Sequence, residues 1–361
     1  MRITFVLPFA YFTGGVRVVI DHASRLRARG HTTTTVFPCL PYWFQDARGV
    51  HSGLRPWLGG LRRNLLRGGL TPGQPVRGEM QRVPWVDAAF LPDADVVVAT
   101  AWPTAYSVAR LPRAKGVPCY LVQHREIDSG PVARVDATYR LPLHRIAISH
   151  DTQRRLRSEV GVEVEDVAAG GTDVAFWSGG GVPAAGRAGV LIPLHDGERK
   201  GAADGISALA RVHRARPDVP VRAFGPRRRR DVPAWIEYVE RPSDVDLRAL
   251  YVRSRVFVFA SRFEGFGLPP LEAMAAGCCV VSTRVGAVPD FAQDGETALL
   301  VEPGDVEGLA ERVLQALGDE PRAARIGACA AEAARAHDLD RSTDAFLAAL
   351  EHAVAADRRR V

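Results

Sequence analysis

Two glutamates eight residues apart open and close the stretch Glu264-Gly-Phe-Gly-Leu-Pro-Pro-Leu-Glu272, which follows an apolar run ending in Ala260-Ser261. Proline suits the first turn of a helix and not its interior, so Pro269 and Pro270 place a helix start there. Glu272 then lies just inside the helix and Glu264 in the loop before it. A helix N-terminus presents unpaired N–H groups that hold phosphate, and carboxylates beside them accept hydrogen bonds from hydroxyls. The chemistry suited to this stretch is therefore the binding of a phosphate-bearing, hydroxyl-rich ligand. Three other features are weaker taken alone. The pair Gly14-Gly15 reads first as a turn and Lys200-Gly201 as a solvated helix start, while His124, at the carboxyl end of an apolar run, is positioned for a ligand cleft, with a histidine bonded for structure as the alternative.

These residues need a scaffold that brings loop ends together, and the pattern along the chain supplies one. Apolar runs at 3–7, 96–99, 118–122 and 145–149 and the β-branched run 33–37 read as strands, with helical periodicity after Gly15 through Val16, Val19, Ile20, Ala23 and Leu26, and again at 104–111 and 151–159. Residues 38–83 are rich in Gly, Pro and Arg and read as an insertion with no clear strand. A second round has strands at 189–194, 219–224, 256–260 and 279–282, helices at 200–214 and 269–276, and three Ala-rich helical stretches from 305 onward. Repeated strand–helix alternation predicts doubly wound parallel sheets, whose ligands bind at the carboxyl ends of the strands. The expected organisation is an α/β pair of Rossmann-like domains facing across a cleft. The first spans 1–177, a Gly-rich linker 178–187, the second 188–340, and a C-terminal helix 341–361 that returns to the first domain.

The composition bounds the partners. At 361 residues, 47% hydrophobic and 24% charged, the chain has the balance of a globular protein with two cores. A net charge of +6 favours anionic partners without choosing among them. Five cysteines without C-x-x-C spacing argue against a cysteine zinc site or a disulfide framework, and read as buried thiols. Asp93-Ala-Asp95 and Asp244-Val-Asp246 imitate a metal-binding D-x-D, but each precedes an apolar strand or helical pattern and suits a strand-entry or capping role. No metal is expected. Arg227 to Arg230 lack interleaved aromatics, so nucleic acid is not an expected partner. The apolar start lacks a small-residue cleavage site, and the expected location is cytoplasmic.

The block Ser261-Arg-Phe-Glu-Gly-Phe-Gly-Leu-Pro-Pro-Leu-Glu-Ala-Met-Ala-Ala-Gly277, with Val280-Val281 and Gly286, resembles the E-x7-E signature of retaining family-4 glycosyltransferases of the GT-B fold. Thr13-Gly-Gly-Val-Arg-Val-Val19 is similar to that family's N-terminal glycine loop, and Ala168-Ala-Gly-Gly-Thr-Asp-Val-Ala-Phe176 to its interdomain phrase, with Gly170 where Asn is usual. The resemblance implies a nucleotide-sugar donor, no further cofactor, and an acceptor that is a small molecule or glycan. It implies Glu264 against the transferred sugar, Glu272 against the ribose, Lys200 on the diphosphate and His124 near the sugar and acceptor. Gly14, Gly15, Arg199, Gly265, Phe266, Gly267 and Leu268 complete the implied donor site. One departure stands out: the family often has an Arg about six residues before the Lys, and Leu194 occupies that place.

Two other readings stay open at this level. A GT-B protein that binds a nucleotide sugar without turning it over would tolerate Leu194, and donor hydrolysis separates it from an enzyme. A nucleotide-cofactor oxidoreductase shares the Rossmann pattern but would carry a G-x-G-x-x-G after the first strand, which is missing here. The acceptor class is open among natural products, polysaccharides and lipid-linked sugars. Residues 54–67 mix arginines with Trp57, Leu58, Leu61, Leu65 and Leu66, which suits either a peripheral contact with an anionic membrane or a loop packed on the first domain.

Overall fold

The computed structural model describes residues 1–9, 13–40, 42, 58, 61, 80–179, 186–227 and 229–359. The expected linker core and nearly all of the segment 54–67 lie outside these residues. The chain forms two compact units, one of residues 1–170 with 342–361 and the other of residues 171–341. Residues 171–177, expected in the first domain, group with the second unit.

Unit 1 holds a fully parallel sheet of β1 (Arg2–Val6), β2 (Thr32–Pro38), β3 (Met80–Val83), β4 (Val96–Ala99), β5 (Val117–Val122), β6 (His144–Ala147) and β7 (Asp166–Val167), in the order β3-β2-β1-β4-β5-β6-β7. β1 and β4 register Ile3 on Val96 and Val6 on Ala99, and the run Val96 to Ala99 is wholly buried, as a strand covered on both faces must be. Among the described residues up to 170 the α-helices are α1 (Gly14–Ala28), α2 (Trp102–Val108), α3 (Val132–Thr138) and α4 (His150–Arg155). α1 starts at Thr13, whose side chain accepts from the Val16 N–H at 3.2 Å, and buries Val16, Val19, Ala23 and Leu26, the periodic positions of its sequence. Where one helix was expected at 151–159, α4 ends at Arg155 and the backbone widens over Leu156–Val160. β3 corrects the reading of 38–83 as strandless.

Unit 2 repeats the plan with β8 (Val190–Pro193), β9 (Val221–Gly225), β10 (Ile236–Glu240), β11 (Val256–Phe259), β12 (Cys279–Thr283) and β13 (Leu299–Val301), all parallel, in the order β10-β9-β8-β11-β12-β13. Its helices are α5 (Val174–Trp177), α6 (Ala202–Ala215), α7 (Asp244–Arg253), α8 (Leu268–Ala275), α9 (Val288–Phe291), α10 (Val306–Gly318) and α11 (Glu320–Ala334). The core of this unit joins Val190, Ile192 and Leu194 to Val256, Val258, Val281 and the apolar stripe Leu309, Val313 and Leu317 of α10. The last helix, α12 (Leu339–Arg358), passes from unit 2 into unit 1. There Phe346 stacks on Phe5 and on His22 of α1, and Thr343 Oγ1 lies 3.0 Å from His22 Nδ1.

Of the five free cysteines, Cys119, Cys278 and Cys279 are buried as expected, whereas Cys39 is half-buried and Cys329 is exposed. Asp93 pairs with Lys115 and Asp95 with Arg2. Asp246 completes a capping box with Ser243 at the start of α7. Among the described residues no helix is long and apolar enough to cross a membrane.

Candidate active site

In unit 2 the strand order reverses between β8 and β11, the switch point where doubly wound sheets bind ligands. The loop after β8 carries Arg199 and Lys200, and the loop after β11 carries Ser261 to Gly267. Arg199 O binds the two loops together, accepting from the N–H groups of Arg262 at 2.8 Å and Phe263 at 3.2 Å. Arg262 reaches back to Asp204 of α6 at 2.6 Å. Gly201 makes this approach possible. Its φ of +60° lies in the left-handed region, and a Cβ built there would sit 1.8 Å from Ala260 O.

The result is a charged pair at the strand ends, with Lys200 Nζ 2.7 Å from Glu264 Oε1. The same carboxylate oxygen lies 2.8 Å from Ser261 Oγ, which is also 2.9 Å from Arg199 O. Thr283 Oγ1, at the end of β12, donates to Ser261 O at 2.5 Å and fixes that turn. The Glu264 backbone rests on Gly286, where φ is +54° and an added Cβ would meet Glu264 O at 2.9 Å. Ala287 N–H donates to Phe266 O at 3.1 Å, so the loop after β12 props the loop after β11.

α8 begins one residue before its two prolines, with Gly267 as N-cap. Of the four N–H groups that a helix start leaves unpaired, two are lost to Pro269 and Pro270, and Gly267 and Leu268 supply those that remain. Glu272 lies on this helix at 3% exposure, and its Oε2 accepts from Tyr251 OH at 3.1 Å. Leu194 is fully buried in the sheet core. The next residue, His195, is half-buried, and burial together with the nearby Lys200 charge holds its pKa below the usual histidine range, against an opposing pull from Glu264.

Unit 1 gathers a second set at its own switch point, between β1 and β4. Gly14 and Gly15 follow β1, Thr100 follows β4 and Gln123 and His124 follow β5. Gln123 Nε2 donates to Gly15 O at 3.2 Å and lies 3.4 Å from Thr100 O. A Cβ on Gly15 would stand 2.9 Å from Gln123 Oε1. His124 is half-buried, and its carbonyl accepts from Tyr139 OH at 3.4 Å. Glu126 is buried, accepting from Trp102 N–H at the head of α2 at 2.8 Å and from Tyr120 OH at 3.3 Å. Burial pushes its pKa up to about 8, so the carboxyl is largely protonated at neutral pH.

The structure thus brings Arg199, Lys200, Glu264, Gly265, Phe266, Gly267, Leu268 and Glu272 to one unit and Gly14, Gly15 and His124 to the other. Sequence reasoning passed over His195, Ser261, Thr283 and Tyr251 in the first, and Gln123 and Glu126 in the second. Ser261 stands three residues before Glu264, and Gln123 and Glu126 flank His124, so adjacency was the signal present. Tyr251 and Thr283 reach their partners only through the fold.

Residues 166–319 match the family described as Glycosyl transferases group 1. The O-antigen chain mannosyltransferase B of Escherichia coli is 42% identical over 86 residues, which are 24% of this chain and 22% of that protein. The chain spans about a fifth of the length of the curated relatives that it matches at 41–46% identity. A phosphatidyl-myo-inositol mannosyltransferase of Mycolicibacterium smegmatis is 26% identical over 94% of this chain and 90% of its own. Among solved structures, Anabaena HepE in complex with UDP and glucose superposes with a TM-score of 0.70 at 17% identity, covering 98% of this chain and 100% of that one. Two doubly wound parallel sheets and these neighbours together give the chain the GT-B fold, and residues 166–319 match the group 1 glycosyl transferase family.

Proposed function

We propose that the chain is a retaining glycosyltransferase that moves a sugar from a nucleoside-diphosphate sugar to an acceptor hydroxyl. The observation that carries this reading is the Lys200–Glu264 pair at the switch point of unit 2, beside the N-terminus of α8. In the reaction the bond between the sugar's anomeric carbon and the diphosphate oxygen breaks. A bond from that carbon to the acceptor oxygen forms on the same face, and the acceptor's proton goes to the departing diphosphate. Charge grows on the diphosphate as it leaves, and Lys200 with the N–H groups of Gly267 and Leu268 stabilises it. Glu264 accepts from the sugar's hydroxyls and in doing so shares Lys200 with the phosphate. Glu272 accepts from the ribose. Arg199, Gly265, Phe266 and the Gly14-Gly15 backbone are assigned to the donor, and His124 to the sugar and acceptor. The names of the relatives support a hexosyl donor and leave the acceptor open among lipid-linked, polysaccharide and small-molecule hydroxyls.

Calorimetry with a panel of nucleoside diphosphates, followed by hydrolysis of the matching sugars, tests the reading. One diphosphate should bind well above the others and its sugar should be consumed. Lys200→Ala should weaken the diphosphate more than the nucleoside, and Glu272→Ala should weaken the nucleotide by about 1.5–3 kcal/mol. Equal losses for diphosphate and nucleoside in Lys200→Ala contradict the assignment.

One observation favours a second reading, a nucleotide-sugar-binding partner protein without turnover. Leu194 faces the core, and His195 beside it is held toward its neutral form, so the loop after β8 lacks a fixed second cation at that point. Tight diphosphate binding with no sugar release or transfer would select it.

A further inference from the structure

Unit 1 carries a cluster of metal-ligand side chains far along the sheet from its glycine loop. His144 is the first residue of β6, Asp166 the first residue of the edge strand β7, and His352 lies on α12. Asp166 Oδ2 is 2.6 Å from His144 Nε2 and 2.8 Å from His352 Nδ1. The three ligand atoms all lie within 4.8 Å of one another. The two imidazoles stand nearly perpendicular, at 84° with centroids 5.2 Å apart, so their nitrogens converge on the carboxylate while the rings keep clear of each other. Side-chain exposure rises from 10% at His144 through 24% at Asp166 to 48% at His352, which opens the cluster to water on the helix side.

We propose that His144, Asp166 and His352 form a zinc(II) site that clips α12 to the edge of the unit 1 sheet. Two imidazole nitrogens and one carboxylate oxygen are a ligand set that zinc takes with water in the fourth position. Calcium and magnesium would ask for oxygens throughout. Zinc bonds of about 2.0–2.1 Å at tetrahedral angles hold ligand atoms about 3.3 Å apart. The two N···O contacts must therefore open by roughly half an ångström, within reach of side-chain torsions alone. Each ring binds neutral, carrying its proton on the nitrogen turned away from the ion. The cysteine spacing and the D-x-D pairs gave no sign of this cluster because its ligands come from two neighbouring strands and a helix far along the chain. Asp166 and His352 alone are 186 residues apart. The segment carrying His352 is the one that returns to unit 1 after unit 2 is complete. An ion here would tie that return to the two strands it covers.

The test uses the full chain, metal-stripped, in a Cys329→Ser background, because the Cys329 thiol is exposed and would compete for soft metals. Cobalt(II) serves as a spectroscopic probe and zinc(II) as the calorimetric one. One cobalt per chain with visible d–d absorption, displaced by zinc, and a zinc-dependent rise in melting temperature are the expected results. His352→Gln and Asp166→Asn should each weaken zinc at least tenfold and abolish the melting shift. His31→Gln should leave both unchanged, since His31 stands outside the cluster, with its Nδ1 3.1 Å from the Met1 amine. The parent protein measures uptake without relying on how any variant folds. Failure of the parent to take up zinc at micromolar concentration, or the same affinity and spectrum in His352→Gln, overturns the proposal.

Discussion

The two switch points are built alike and furnished differently. In unit 2 a lysine and a carboxylate share the strand ends at 2.7 Å, with Ser261 on the same oxygen. In unit 1 the corresponding loops are joined by an uncharged amide, Gln123, and the nearby Glu126 is held largely protonated by burial. A charged pair in a half-buried loop can change partners when an anion arrives, because each member keeps a place to go. A neutral amide wedged between two carbonyls fixes loop positions and offers no charge to a diphosphate. Under the proposed function, the charged side suits an anionic donor and the neutral side a hydroxyl acceptor.

Breaking the charged side should have the larger effect. Glu264→Gln removes the acceptor charge and is expected to lower transfer by about a hundredfold, with folding intact by circular dichroism. Near wild-type turnover in the folded variant would falsify the role given to Glu264. Gly201→Ala attacks the same loop through its backbone. With φ at +60° and Ala260 O in the way, it should cost more than about 2 kcal/mol in denaturant unfolding of the chain. A midpoint within error of the parent would mean that the two loops are not locked as described.

The neutral side should answer to pH. Glu126 has a folded pKa of about 8 against an ordinary value near 4.5, so between those pH values the folded state holds a proton that the unfolded state has lost. Stability from this group is full at the acid end of that window and falls as pH rises through it. Glu126→Gln keeps an oxygen for Trp102 N–H and should gain on the parent by roughly 1–3 kcal/mol between pH 5 and pH 8. A constant difference across that range removes the claim that burial keeps this carboxyl protonated. Gly15→Ala should do least, below about 1 kcal/mol, because its Cβ meets only the tip of the Gln123 side chain, which can swing aside. A loss several times larger would show that Gln123 cannot move.

The same contrast governs what could be read from the chain. Glu264, Gly267, Pro269, Pro270 and Glu272 sit on one strand–loop–helix turn, so spacing alone placed them. The unit 1 set joins Gly15, Thr100 and Gln123, which meet only once three strands are side by side. Among the described residues all nine inner strands were legible as apolar or β-branched runs, and the four that were missed, β3, β7, β10 and β13, are the outer strands of their sheets. An outer strand is covered less and paired on one side, so it is short or polar. β7 has two residues, β13 three, β3 exposes Gln81 and Arg82, and β10 exposes Glu237 and Glu240. Leu194 was legible as a departure, yet only the fold shows that the residue beside it, and not the one in that place, turns toward Lys200.

The passage of the chain out of unit 1 at residue 170 and back at residue 342 sets an order in time during synthesis. A ribosome adding about 5–20 residues per second needs on the order of ten to thirty seconds to make what lies between. Unit 2 is one continuous stretch and can close during that interval. Unit 1 meanwhile waits with Phe5 and His22 uncovered, the surface that Phe346 later stacks on. The nascent chain therefore presents a finished half and an unfinished one at the same moment, and the unfinished half is the one made first.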